Sequence, residues 1–245
     1  MNPVGIFAWC CVEILSTMNR LPQVTKNLLA INALMFLATI VLGRKGIDLT
    51  GIFGLHFFKA SDFAPYQLVT YMFMHGGFSH LFFNMFALYM FGSVLEKVWG
   101  AKRFIIYYLV AGVGAGLLQE IVQYAQYVQL GYDAISKISI YQGGVPVPMA
   151  DALNFWTTVG ASGAIYAILL GFGMLFPNER MFVFPLPFPI KAKFFVIGYA
   201  VIELVLGISN SQDGVAHFAH LGGMLFGLVL ILYWRKTNKI GGPYV

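Results

Sequence analysis

Ser162 stands in a Gly-Ala-Ser-Gly run at residues 160–163, and two histidines, His217 and His220, stand three residues apart further along the chain. His80 and Asn84 are spaced i and i+4, which puts both on one face of a helix. A serine hydroxyl is a weak nucleophile until a neighbouring base takes its proton. An imidazole does this near neutral pH. Acyl transfer also needs hydrogen-bond donors where the oxyanion develops. His80 and Asn84 can donate. The backbone N–H of Ser162 can too if a helix starts there, because it then has no intrahelical partner. These residue types suit nucleophilic acyl transfer by a Ser–His pair.

The segments that carry them are apolar. Of 245 residues, 59% are hydrophobic and 10% charged, against about 25% charged in a soluble domain. So few charges cannot coat a soluble globule, and disorder needs the opposite composition. A polytopic membrane protein remains, consistent with a mean hydropathy of +0.75. Six stretches approach the ~20 apolar residues of a helical span: 28–42, 79–98, 104–119 or somewhat beyond, 162–176, 194–208 and 215–234. An all-α bundle of six transmembrane helices is expected, in one domain over residues 28–235. Residues 1–27 are expected as a cytoplasmic or interfacial extension, and 236–245 as a short cytoplasmic tail. Residues 4–12 are apolar but too few to span, and no Lys or Arg precedes them, so no secretory signal is expected. Cys10 and Cys11 are adjacent and suit neither a disulfide nor a metal site.

Six spans place both termini on one side. Eleven of the 15 Lys and Arg residues fall on the connections of that side; Arg44, Lys45, Lys59 and Lys137 fall on the other. This asymmetry sets both termini inside and accounts for the net charge of +5. No basic stripe interleaves with aromatics, so nucleic acid is not an expected partner. The long outer connections are residues 43–77 and 120–161. The inner connection 177–193 contains Pro177, Pro185, Pro187 and Pro189 and cannot be helical throughout.

The polar groups fall at one depth. His80 to Lys97 is about 25 Å of helix, Ser162 to Arg180 about 27 Å if helical throughout, and His220 to Arg235 about 22 Å. All three positions therefore lie slightly below the outer face of a core about 30 Å thick. No acidic residue of the other spans stands out at this layer, so a dyad is the economical arrangement. Between the two histidines, Gly223 and Gly227 favour His220 as the base. Small residues at that spacing let its helix approach the helix of Ser162 closely. His217 is expected to hydrogen-bond nearby.

These motifs resemble those of the rhomboid family of intramembrane serine proteases, over about residues 28–235. HLFFN, with His80 and Asn84, matches H-x-x-x-N on the second helix. GASG, with Gly160, Ser162 and Gly163, matches G-x-S-G on the fourth. AHLGG, with His220, Gly223 and Gly227, matches A-H-x-x-G-x-x-x-G on the sixth. The resemblance implies an endopeptidase that cleaves transmembrane protein substrates near the outer face. Ser162 would be the nucleophile and His220 the base, with His80 and Asn84 binding the oxyanion. Tyr166 would pack on the catalytic imidazole, and Glu96 would be a structural acid at the inner end of the second helix. Tyr66-Gln67 replaces the Trp-Arg of many members, which puts the usual anchoring of the first outer loop in question.

Other polar residues have plainer readings. Glu203 is expected to be structural, without a catalytic role, and His56 and His75 to pack the first outer loop. Gly112, Gly114 and Gly116 lie inside an apolar span with no Lys-Ser or Lys-Thr after them, which suits helix packing through Gly112 and Gly116 rather than phosphate binding. No cofactor and no metal is implied. The expected partners are transmembrane protein substrates and membrane lipids, in a bacterial inner membrane. A non-catalytic relative that binds membrane helices is the alternative. A transporter would need inverted repeats, which the sequence lacks.

Overall fold

The computed structural model describes residues 21–131, 140–142, 145–182, 188–209 and 215–237. The expected N-terminal extension up to residue 20, with Cys10 and Cys11, lies outside the described residues. So do Lys137, Pro185, Pro187 and residues 238–245 of the tail.

The described residues are mostly helical. The long helices are α1 (Gln23–Gly43), α2 (Phe78–Trp99), α3 (Ala101–Gln129), α4 (Ser162–Leu175), α5 (Ala192–Ile208) and α6 (His217–Lys236). Four of them, α1, α2, α3 and α6, are long and apolar enough to cross a membrane. α4 has 14 residues and α5 has 17, so the axial count from Ser162 to Arg180 does not run through continuous helix. After Leu175 the chain turns into β3 (Arg180–Met181), which pairs antiparallel with β4 (Ile190–Lys191). The prolines of that connection explain why the helix stops there.

α3, α4 and α6 pack most extensively on one another and form the centre of the bundle. Their shared core contains the fully buried Phe104, Tyr107, Tyr108, Ile168 and Ile231. Buried hydroxyls need partners. Tyr107 donates to the Ala167 carbonyl at 2.6 Å, and Tyr71 to the Gly112 carbonyl at 2.7 Å. The outward faces stay apolar and exposed, as at Phe82, Phe83 and Phe86 of α2 and Ile197, Val201 and Val205 of α5. Such surface suits lipid, where no polar coat is needed.

The glycines of α3 sort differently from the expected pair. Side chains on Gly112 and Gly116 would strike Met72 and Leu55 of the first outer connection, whereas Gly114 admits Phe226 of α6. The helix contact thus runs through Gly114. α3 also continues to Gln129, because the polar groups of its last turns meet loop backbone. Glu120 accepts from Phe58 N–H at 2.8 Å, and Gln123 donates to the Trp156 carbonyl at 3.5 Å.

The first outer connection is held by side chains. β1 (Leu55–His56) pairs antiparallel with β2 (Thr157–Thr158), which ties the two long connections together. Gln67 is buried and binds four backbone groups. It accepts from the N–H groups of His56 and Ala64 at 3.3 and 3.1 Å and donates to the carbonyls of Ile52 and Asp62 at 3.3 and 3.0 Å. Tyr66 donates to Ile52 O at 3.1 Å. Tyr66-Gln67 therefore anchors this loop by its own hydrogen bonds. His56 packs the loop as expected, its ring nitrogens 2.8 Å from Gly51 O and 3.1 Å from Asn154 O.

α1 begins at Gln23, a turn ahead of the apolar stretch, and that turn explains Glu96. Buried Glu96 accepts from the N–H groups of Val24 and Thr25 at 2.9 and 2.7 Å and from Thr25 Oγ1 at 2.8 Å. The first N–H groups of a helix have no intrahelical acceptor and carry its positive dipole end. A carboxylate on α2 thus caps α1. Glu96→Ala should destabilise the protein by about 2–4 kcal/mol. Equilibrium unfolding in mixed detergent measures this, and an unchanged unfolding midpoint would deny Glu96 this role.

Candidate active site

The site forms at the end of the bundle where α4 and α6 begin. Gly160 precedes α4 with φ +129°, a region that side-chain-bearing residues avoid. Its N–H donates to Tyr71 O at 2.9 Å, which fastens the turn to the first outer connection. A Cβ at Gly160 would lie 2.7 Å from His80 Cε1. The turn therefore brings backbone against the His80 ring and starts the helix at Ser162.

α6 begins at His217, one turn before His220 comes round to face α4. The two helices touch backbone to backbone where a Cβ on Gly223 would fall within the Gly163 carbonyl group, and a Cβ on Gly227 would lie 2.9 Å from Ala167 Cβ of α4. This approach sets His220 Nε2 2.8 Å from Ser162 Oγ. Tyr166, one turn into α4, stacks on the His220 ring with centroids 4.1 Å apart and planes 8° apart. Ser162 is half-buried and His220 buried.

His80 lies at the edge of this pair against Gly160. Asn84, one turn along α2, donates one amide hydrogen to His80 O at 2.8 Å, which leaves its second for other use. Buried His75 packs on His80 with ring centroids 5.1 Å apart, and neither of its ring nitrogens has an aligned hydrogen-bond partner among the described residues. Burial, with the neighbouring His80, lowers His75 to about 4. It is therefore neutral at physiological pH.

The structure overturns one expectation. An acid does lie in this layer: Glu203 of α5. Its Oε2 is 2.7 Å from His217 Nδ1 and 3.0 Å from His220 Nδ1. Its Oε1 accepts from Tyr166 Oη. The contact with His217 is an aligned hydrogen bond; that with His220 is longer and off-axis, without hydrogen-bond alignment. The depth count covered only the helices running inward. Glu203 is five residues from the outer end of α5 at Ile208, about 7.5 Å, so the same count on an outward helix finds it. The donor atoms of Glu203, His217 and His220 lie within 4.8 Å of one another and are of types that bind metal ions. Both histidines therefore lie against a carboxylate.

Residues 62–237 match the Rhomboid domain family. A mostly helical bundle with apolar spans and this end-on polar cluster is what that match covers, and the chain belongs to the rhomboid family. An uncharacterized mitochondrial rhomboid protein of Schizosaccharomyces pombe is 30% identical over 218 residues, 74% of this chain and 55% of that protein. Rhomboid-like protein 11, chloroplastic, of Arabidopsis thaliana is 28% identical over 235 residues, 89% of this chain and 69% of that protein. The rhomboid protease AarA of Providencia stuartii is 28% identical over 197 residues, 77% of this chain and 63% of that protein. The chain thus spans little more than half of the fission-yeast relative. Family and spans make this an integral membrane protein. These relatives include mitochondrial and chloroplastic proteins, so they lend no support to a bacterial inner membrane in particular.

Two measurements probe this geometry. Gly223→Ala should destabilise the bundle by about 1–3 kcal/mol, since α4 and α6 must part; an unshifted midpoint would mean that their contact is loose. Between pH 6.5 and about 4 the unfolded chain protonates His75 and the folded chain does not, so stability falls as pH falls through that window. His75→Gln should therefore lose less in melting temperature than wild type over the same window.

Proposed function

We propose that this chain is an intramembrane serine endopeptidase that cleaves transmembrane protein substrates near the outer face. The observation that carries this reading is the 2.8 Å contact of Ser162 Oγ with His220 Nε2. It joins two helices whose motifs match the family's. In the proposed reaction Ser162 Oγ attacks the scissile carbonyl carbon while its proton passes to His220 Nε2. The tetrahedral oxyanion is met by His80, the free amide hydrogen of Asn84 and the N–H groups at the start of α4. His220 then gives the proton to the leaving amine. Water, deprotonated by the same imidazole, releases the acyl group. Tyr166 holds the ring by stacking. Gly160, Gly163, Gly223 and Gly227 serve by letting backbone come close.

In this reading all six long helices cross the membrane, with the site near the outer face and both termini on the side of the basic connections. Residues 28–235 form the protease domain. Substrates enter from the lipid as membrane helices.

The test is cleavage of a single-span test substrate by the purified protein in detergent, beside Ser162→Ala and His220→Ala. Each variant should lose at least about 1,000-fold in rate while keeping its fold. The non-catalytic alternative predicts the opposite: no cleavage by wild type, and helix binding that survives Ser162→Ala.

A further inference from the structure

Glu203 is buried in α5, and its carboxylate is surrounded by donors from two other helices. Tyr166 of α4 meets Oε1, and His217 and His220 of α6 meet Oε2 at 2.7 and 3.0 Å. A carboxylate in an apolar layer is costly unless it is paired and hydrogen-bonded. This one is hydrogen-bonded by Tyr166 and His217, and His220 Nδ1 lies 3.0 Å from it.

We infer that Glu203 is a positioning residue for His220, so that the catalytic unit of this chain is a Ser162–His220–Glu203 triad rather than a dyad. The inference rests on the protease reading above. An ionised carboxylate only accepts hydrogen bonds. The His220 nitrogen that faces it, Nδ1, must therefore carry the ring hydrogen. Nε2 is left as the acceptor toward Ser162 Oγ. When Ser162 attacks, its proton moves to Nε2, Nδ1 keeps its hydrogen, and Glu203 stays ionised beside the imidazolium, which it stabilises. The off-axis approach to Nδ1 fits a carboxylate whose better-aligned bond goes to His217. His217 and Tyr166 fix the carboxylate, and the carboxylate fixes the tautomer of His220.

The same atoms argue against a metal as their main tenant. Donors 2.7–3.0 Å apart are at hydrogen-bond separation, closer than ligands about 2.0–2.1 Å from a tetrahedral zinc can sit. The titratable groups around His220 are Glu203 of α5, Ser162 and Tyr166 of α4, His217 of α6 and His80 of α2. Glu203 is the acid among them.

The test measures kcat, KM and the pH profile of kcat/KM for wild type, Glu203→Gln and Glu203→Asp, with Ser162→Ala as the control. Glu203→Gln should lower kcat about 100-fold with KM little changed, a smaller loss than a triad carboxylate can cause because Tyr166 still holds the ring. Its acid limb should move to lower pH, since the imidazolium has lost its counter-charge. Glu203→Asp should recover part of kcat and return the limb. A merely structural role would lower the folded fraction and leave the limb in place. A folded Glu203→Gln with wild-type kcat and an unmoved limb overturns the triad. So does cleavage abolished by a chelator and restored by zinc. If Glu203→Gln fails to fold, NMR of the wild-type imidazole decides, and a neutral His220 ring with its hydrogen on Nε2 rather than Nδ1 overturns the proposal. An imidazole NMR titration of His220 in wild type and variant reads the same coupling without turnover. If wild type does not cleave, or Ser162→Ala cleaves equally, the protease reading itself has failed and the triad falls with it.

Discussion

The polar layer depends on how closely α4 and α6 approach. Gly163 and Gly223 present backbone to each other at the crossing, and no side chain fits between them. In a bundle without a hydrophobic driving force between helices, such close packing holds them together. It also decides the chemistry. The 2.8 Å contact of Ser162 with His220 exists only because the axes can come this near. The layer thus joins a packing solution to a serine and an imidazole in contact.

Around that crossing, polar side chains are spent on backbone. Glu96 caps α1, Gln67 binds four backbone groups of the first outer connection, and Tyr71 and Tyr107 donate to carbonyls of α3 and α4. Each satisfies groups that lipid or apolar core would leave without a partner. The chain carries only 10% charged residues, and the few that are buried serve as joints between elements. The Gly160 turn belongs to this set, since its N–H is tied to Tyr71 O and its missing side chain gives room to His80.

Glu203 departs from that pattern because its partners are side chains. Tyr166, His217 and His220 converge on one carboxylate. The network links three helices through atoms that also touch Ser162 or the ring beside it. A stacked ring and a carboxylate hold the His220 imidazole from two sides, the support that the proposed reaction would require.

Much of this was legible in the residues. Apolar runs placed five of the six long helices to within five residues at each end, because a span must be continuous and uncharged, while α3 runs ten residues past Gln119. Rise per residue put His80 and His220 at one height, whereas Ser162 is placed by its contact with His220, since α4 ends at Leu175. The glycines after His220 pointed to the approach of α6 to α4. Tertiary structure alone decided what lies across from what. Gln67 anchors a loop although the residue types looked wrong for it, since four backbone groups from separate turns had to meet one amide. Gly114, rather than Gly112 and Gly116, receives α6 because helix rotation is set by the whole bundle. Glu203 reaches both histidines for the same reason. Depth along a helix follows from counting residues, but the direction in which a side chain points depends on how each helix is turned against its neighbours, and no local spacing encodes that.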